Sequence, residues 1–257
     1  MKTDLALHEV AQQGFTVVPN VLDTEFKRQL RLAMDQAHVT CRDIQIKGGL
    51  SANTDGAVHH ILSLDPVFLK LLAMPSLQEF LNAFFDSPCI LNSYSGVLNL
   101  PNSPTYVSNV HRDVRTFSRT PEMLNLLVML DDFTEENGAT WILPGSHLNP
   151  EKPSNEEFFG SAKRALGKAG DFLIFDSNSW HAAGINQTDH VRRALTVTFT
   201  RPYMKQQFDY PRSLGWEKCA TLDKNLQQLV GYRSRVPATL EEWYQPIDHR
   251  FYQADQG

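Results

Sequence analysis

Apolar and polar residues recur along this chain in two rhythms, and the change from one to the other locates its elements. Residues 4–14 carry Leu5, Val10 and Ala11 and end at Gly14, which predicts a short helix. Phe15-Thr16-Val17-Val18-Pro19 then reads as a strand closed by proline. Asp23 or Thr24 can cap a second helix from Glu25 to about Val39, with Phe26, Leu30, Ala33 and Met34 on one face. Cys41 to Gly56 is polar and glycine-bearing and reads as a loop. Asp65-Pro66 opens a helix to about Ala73. Pro75-Ser76 opens another, in which Leu77, Phe80, Leu81 and Phe84 share a face up to Phe85.

From Ile90 onward the rhythm shortens to strand length. Ile90–Leu100 is a strand ended by Pro101-Asn102-Ser103-Pro104, and Tyr106–Asp113 is a second extended segment. Leu124–Leu130 is apolar except for Asn125, which faces either the core or a pocket. Asn137-Gly138 is a hairpin signal, so the acidic run before it reads as a solvated turn and Ala139–Leu143 as the return strand. Pro144-Gly145-Ser146 turns the chain again, and Pro150–Ala169 is a polar surface excursion. Asp171–Phe175 and Arg192–Phe199 are further strands, with a turn at Ile185–Thr188. After Pro202 the chain is aromatic and polar, with a helix-like stretch at Leu222–Leu229. Nothing resembles a linker or a repeat. The expected organisation is one domain over 1–257: core strands at about 90–202, helical support in 1–89 and a tail in 203–257.

Composition narrows the function classes. A chain of 257 residues with 42% hydrophobic content can bury a full core unaided. The net charge of -5 and the absence of a basic cluster argue against nucleic acid as a partner. Three widely spaced cysteines suggest neither a disulfide framework nor a zinc site. No apolar run approaches membrane-spanning length, and Met1-Lys2-Thr3-Asp4-Leu5 lacks a signal-peptide core, so a reducing, cytoplasmic setting is expected.

The chemistry concentrates around His111-Arg112-Asp113. In an extended segment residues two apart point the same way, so His111 and Asp113 share a face. They are two members of a 2-His-1-carboxylate triad, which holds Fe(II) on one side and leaves the other open. The third histidine must come from elsewhere. His181 follows one strand and precedes another, and is preferred to His147, which sits in a turn. Adjacent His59-His60 point apart and read as non-ligands. Arg192 and Arg193 open the next strand and point oppositely, so only one can offer a guanidinium fork to a carboxylate in the site.

Taken together, His111-Arg112-Asp113, Glu135-Glu136-Asn137-Gly138 with Leu143-Pro144-Gly145-Ser146-His147, and Trp180-His181-Ala182-Ala183-Gly184 with Asn186 and Arg192 resemble the phytanoyl-CoA dioxygenase family. The helix-strand-helix opening is similar to the family's start, so the resemblance covers nearly the whole chain. It implies a mainly β fold with flanking helices, a double-stranded β-helix of the jelly-roll, cupin-like kind. It further implies Fe(II) on His111, Asp113 and His181, with 2-oxoglutarate and O2 as co-substrates. Arg192 would anchor the distal carboxylate, and Asn99 would line the co-substrate pocket. Oxidative decarboxylation would release succinate and CO2 while an unactivated C–H bond of a small molecule is oxidised, usually to an alcohol. A carboxylate at Asp113 favours oxygenation over the halogenation of relatives with a small residue there. Ala183 departs from the pattern, because many members carry serine at that position. Among Arg115, Arg119, Arg201 and Arg212, Arg115 shares parity with the ligands and is the preferred substrate contact. Two other classes stay open: a cupin-like metal enzyme without 2-oxoglutarate, and a non-catalytic jelly-roll binding protein.

Overall fold

The computed structural model describes residues 2–50, 54–103 and 106–250; residues 51–53 of the expected loop and Pro104 of the expected strand end lie outside these. Helix α1 (Thr3–Gln13) stops at Gly14, whose φ of 90° is the left-handed conformation that favours glycine. It buries Thr3, Ala6 and Val10, whereas Leu5 and Ala11 face outward, so the apolar pattern misjudged part of its inner face. Strand β1 (Phe15–Val18) follows at once.

Helix α2 (Thr24–Lys47) begins where the Asp23 carboxylate accepts the Phe26 N–H at 2.7 Å. It continues through Lys47, which overturns the loop expected from Cys41. The physical reason is local. No helix breaker occurs before Gly48-Gly49, and side-chain pairs such as Lys47–Asp43 (2.6 Å) and Arg42–Gln45 (3.1 Å) support a polar last turn. Strand β2 (Ala57–Val58) comes next, then α3 (Pro66–Leu72) and α4 (Pro75–Phe85), each with proline in its first turn.

The remaining strands are β3 (Ile90–Asn99), β4 (Met123–Met129), β5 (Trp141–Ile142), β6 (Lys163–Arg164), β7 (Phe172–Asp176), β8 (His181–Ala182) and β9 (Arg192–Thr200). A six-stranded antiparallel sheet has the order β1-β7-β4-β9-β3-β2, and a smaller sheet has the order β6-β5-β8. Period-two alternation sorts the large sheet into two faces. Leu124, Leu126 and Val128 of β4, with Leu195, Val197 and Phe199 of β9, face a core shared with α1–α4. Met129, Leu173, Phe175 and Ala194 face the other way, packing with Ala139, Ile142 and Ala165 of the small-sheet region. The result is the expected arrangement of antiparallel sheets with flanking helices, with helices covering one face of the large sheet and the small sheet the other. The barrel is not closed.

Two expected strands are shorter or absent. Ala139–Leu143 pairs only at Trp141–Ile142. Tyr106–Asp113 is not a ladder strand: it starts as a 3-10 turn, and His111 alone makes a bridge, to His181. The polar excursion contains helix α5 (Asn155–Ser161), started by a reciprocal Ser154–Glu157 capping box. The tail adds α6 (Tyr210–Leu214), α7 (Trp216–Thr221), α8 (Lys224–Leu229) and α9 (Leu240–Trp243). Tyr210 docks it by accepting the Tyr94 N–H through its hydroxyl at 2.7 Å. Among the described residues, no helix is long and apolar enough to cross a membrane.

Candidate active site

The site lies where the irregular segment after β3 meets β8. His111 and His181 exchange backbone hydrogen bonds, the His111 N–H to the His181 carbonyl at 3.0 Å and the reverse at 2.9 Å. Asp113 is fixed two residues on, where its N–H reaches the Ser177 carbonyl at 3.2 Å. These bonds replace the ladder that the sequence suggested, and they still bring three side chains together. Donor atoms of His111, Asp113 and His181 lie within 4.8 Å of one another. Nε2 of His111 is 3.7 Å from Oδ1 of Asp113, and Nε2 of His181 is 3.6 Å from Oδ2.

Both imidazoles are oriented for coordination. Nδ1 of His111 faces the Asn109 carbonyl at 2.7 Å, and Nδ1 of His181 faces the Ser179 carbonyl at 3.0 Å. A carbonyl oxygen only accepts, so each Nδ1 carries the proton and each Nε2 presents a lone pair to the shared space. Burial holds the His181 imidazole below its usual pKa of 6.5, with Asp113 pulling the other way, which keeps the ring in its ligating, neutral form near neutrality. Phe175 packs its ring against His181, with centroids 4.8 Å apart. The donor set of two imidazoles and one carboxylate suits Fe(II) and leaves open positions for further ligands.

A second polar group stands on Phe133, which shares an apolar cluster with the Phe175 that packs on His181. Arg192 starts β9 opposite Asn99 and is only 4% exposed. Its Nε donates to the Asn137 carbonyl at 3.2 Å, and its guanidinium carbon stands 3.9 Å from the Phe133 ring centroid. Nη1 is buried without a hydrogen-bond partner among the described residues. Burial pulls the guanidinium down to about 9, against the opposing pull of Asp131, so it stays cationic at neutral pH. A buried cation with a spare donor is an incomplete arrangement until an anion arrives.

Other sequence candidates fall elsewhere. Asn99 lies beside Arg192, with its Nδ2 committed to the carbonyls of Gly184 (3.0 Å) and Asn137 (3.4 Å). His147 is apart from the triad, Nε2 3.1 Å from the Ala11 carbonyl. His60 stacks on Phe208 and meets the Tyr210 hydroxyl at 3.0 Å. Arg201 is held by the Pro121 carbonyl, the Ser87 hydroxyl and Glu122, so it is not a free substrate cation. Arg115, Arg119 and Arg212 are exposed. The Asp131–Glu136 turn is structural: Asp131 pairs with Arg31 and Arg193, and Asp132 with Lys168.

Sequence reasoning missed the polar group behind Asp113. Asn125 donates to Asp113 Oδ2 at 2.7 Å and to the Ser177 hydroxyl at 2.9 Å, and accepts from Thr198 at 2.8 Å. The one signal for it was a lone amide in an apolar strand.

A model of the phytanoyl-CoA dioxygenase family matches residues 10–194. The chain belongs to the phytanoyl-CoA dioxygenase family. As a member it is an oxygenase that depends on Fe(II) and 2-oxoglutarate and uses O2. The uncharacterised protein Rv1501 of Mycobacterium tuberculosis is 32% identical, covering 95% of this chain and 92% of its own length. The dioxygenase cdmA of Talaromyces verruculosus is 25% identical over 88% of this chain and 81% of its own. Among solved structures, AviO1 from Streptomyces viridochromogenes superposes with a TM-score of 0.64 at 23% identity, over 79% of this chain and 97% of that one. The epimerase SnoN, in complex with Fe3+, alpha-ketoglutarate and nogalamycin RO, gives 0.60 at 20% identity, over 77% and 83%. These likenesses establish the shared fold.

Proposed function

We propose that this phytanoyl-CoA dioxygenase family member hydroxylates, or otherwise oxidises, an unactivated C–H bond of a small molecule. His111, Asp113 and His181 would hold Fe(II), and Arg192 would hold the distal carboxylate of 2-oxoglutarate. The observation carrying this reading is the pairing of a convergent His-Asp-His set with a buried guanidinium that has a spare donor. Either feature alone suits several chemistries. A 2-oxo diacid unites them, since one end chelates a metal and the other needs a cation. Bound together, Fe(II), 2-oxoglutarate and O2 supply an oxidant able to break a C–H bond, with release of succinate and CO2.

The chain's own residues prepare that event. The Asn109 and Ser179 carbonyls fix both imidazole tautomers. Arg192 orients the co-substrate through a fork that a lysine would lack. Phe133, against that guanidinium, lowers its contact with water. Asn99 has spent its donor on backbone carbonyls, so its part is to shape the wall beside Arg192. Arg115, exposed two residues after Asp113, would meet an anionic substrate.

Anaerobic titration with Fe(II) and 2-oxoglutarate tests this reading. A weak visible charge-transfer band is expected in wild type and should vanish in His181→Ala. Iron binding without the band would favour a cupin-like enzyme that needs no co-substrate. No iron binding would favour a binding protein.

A further inference from the structure

Asp113 is the one triad member whose two candidate donor atoms are equivalent by chemistry. Each oxygen lies near a different imidazole, Oδ1 3.7 Å from His111 Nε2 and Oδ2 3.6 Å from His181 Nε2. Nothing in the triad itself decides whether a metal is gripped by one oxygen or by both. The difference matters chemically. A one-oxygen grip would leave more of the ion free for a chelating 2-oxo acid and O2. A two-oxygen grip would compete with them.

Asn125 breaks the equivalence. A carboxylate only accepts hydrogen bonds, so the amide must turn its Nδ2 toward Asp113 and its Oδ1 toward Thr198. Both N–H bonds are then used, one on Oδ2 at 2.7 Å and one on the Ser177 hydroxyl at 2.9 Å, while the Thr198 hydroxyl donates to Oδ1 of the amide at 2.8 Å. Asn125 is 7% exposed and sits on β4 directly opposite Thr198 of β9, so its orientation is set by the sheet register. Oδ1 of Asp113, by contrast, accepts no hydrogen bond among the described residues. We propose that Asn125 is a positioning residue that occupies Oδ2 of Asp113 and confines the carboxylate to a one-oxygen grip through Oδ1, thereby keeping the O2 position free. The proposal rests on the iron and 2-oxoglutarate reading above.

The test uses Fe(II), 2-oxoglutarate and nitric oxide, an O2 surrogate whose ferrous adduct has a distinctive electron paramagnetic resonance signal. Wild type should bind all three in sequence. Asn125→Ala should still bind iron and develop the charge-transfer band, yet need roughly 10-fold more nitric oxide for the same signal, in the range usual for groups that orient metal ligands. Thr198→Val, which only frees the amide to turn, should show a smaller shift in the same direction. Asn125→Leu fills the same space without a donor and serves if the alanine variant does not fold. Wild-type nitric oxide affinity in a folded Asn125 variant, with only thermal stability changed, would overturn the proposal and leave the iron site intact. Failure of wild type itself to bind iron and 2-oxoglutarate would overturn both.

Discussion

The two ends of the proposed site are built on opposite terms. At the metal end the side chains of His111 and Asp113 are about a third exposed, at 32% and 35%, and only His181 is buried. At the other end Arg192 is sealed, with a hydrogen-bond donor left over. The open end leaves two of its three side chains in reach of water, so it can stand without an ion. The sealed end holds a charge that burial penalises and that no acidic side chain pairs with among the described residues. On the proposed reading, an exchangeable cofactor would be met by groups that tolerate its absence, and a consumed co-substrate by one that its arrival would stabilise.

Arg192→Met breaks this contrast most strongly. Affinity for 2-oxoglutarate should fall by roughly 100-fold or more, the usual scale for truncating one partner of a buried charge pair. Iron affinity should stay near wild type, and the ligand-free melting temperature should hold or rise, because an uncompensated buried charge has gone. Calorimetric titration and a thermal melt with and without 2-oxoglutarate check all three. A clear drop in the ligand-free melting temperature would mean that Arg192 is structural.

At the open end, pH does the same service. The folded-state pKa of His181 is depressed by burial, so the unfolded chain takes up that proton first. Stability of the metal-free protein should therefore fall as pH drops below 6.5, and Fe(II), which holds the ring neutral, should flatten the dependence. Parallel melts from about pH 7.5 to about 5.5 would show it, and identical slopes with and without iron would count against His181 as a ligand.

Ala183→Ser is a gentler probe. Giving this position the hydroxyl that many relatives carry should tighten 2-oxoglutarate by about 1 kcal/mol, or roughly 5-fold. Smallest of all, Arg115→Ala should leave iron and 2-oxoglutarate affinities within about 2-fold while raising KM for the true substrate. A loss of iron binding there would place Arg115 in the wrong part of the site.

How much of this was legible beforehand follows from the reach of each signal. The convergence of His111, Asp113 and His181 was readable because residue parity needs only an extended backbone, and a single reciprocal bridge at His111 supplies that as well as a full ladder would. The place of Arg192 at the start of β9 was readable from the strand pattern, and the role proposed for it from the family's spacing. Asn125 was not, because its partner Asp113 lies on an irregular segment whose path no local pattern specifies. The end of α2 was missed for the opposite reason: its last turns are stabilised by polar pairs that look like a loop when only apolar spacing is read. That Arg201 is committed to other partners could not be read, because those partners come from separate segments.

The pairing of β1 with β7 has a consequence in time. Phe15 lies opposite Phe175, and the Gly14 carbonyl accepts bonds from the Asp176 N–H and the Ser179 hydroxyl beside the second histidine. Strand β1 leaves the ribosome early and must wait for a partner made 160 positions later (175 − 15). At ordinary rates of synthesis that is on the order of 10–30 s with an unpaired edge exposed. Strand β9, which joins β4 to β3 and carries Arg192, emerges later still. Loading of the site then belongs to a chain made at least as far as Thr200, and chaperone demand should peak in the interval before it.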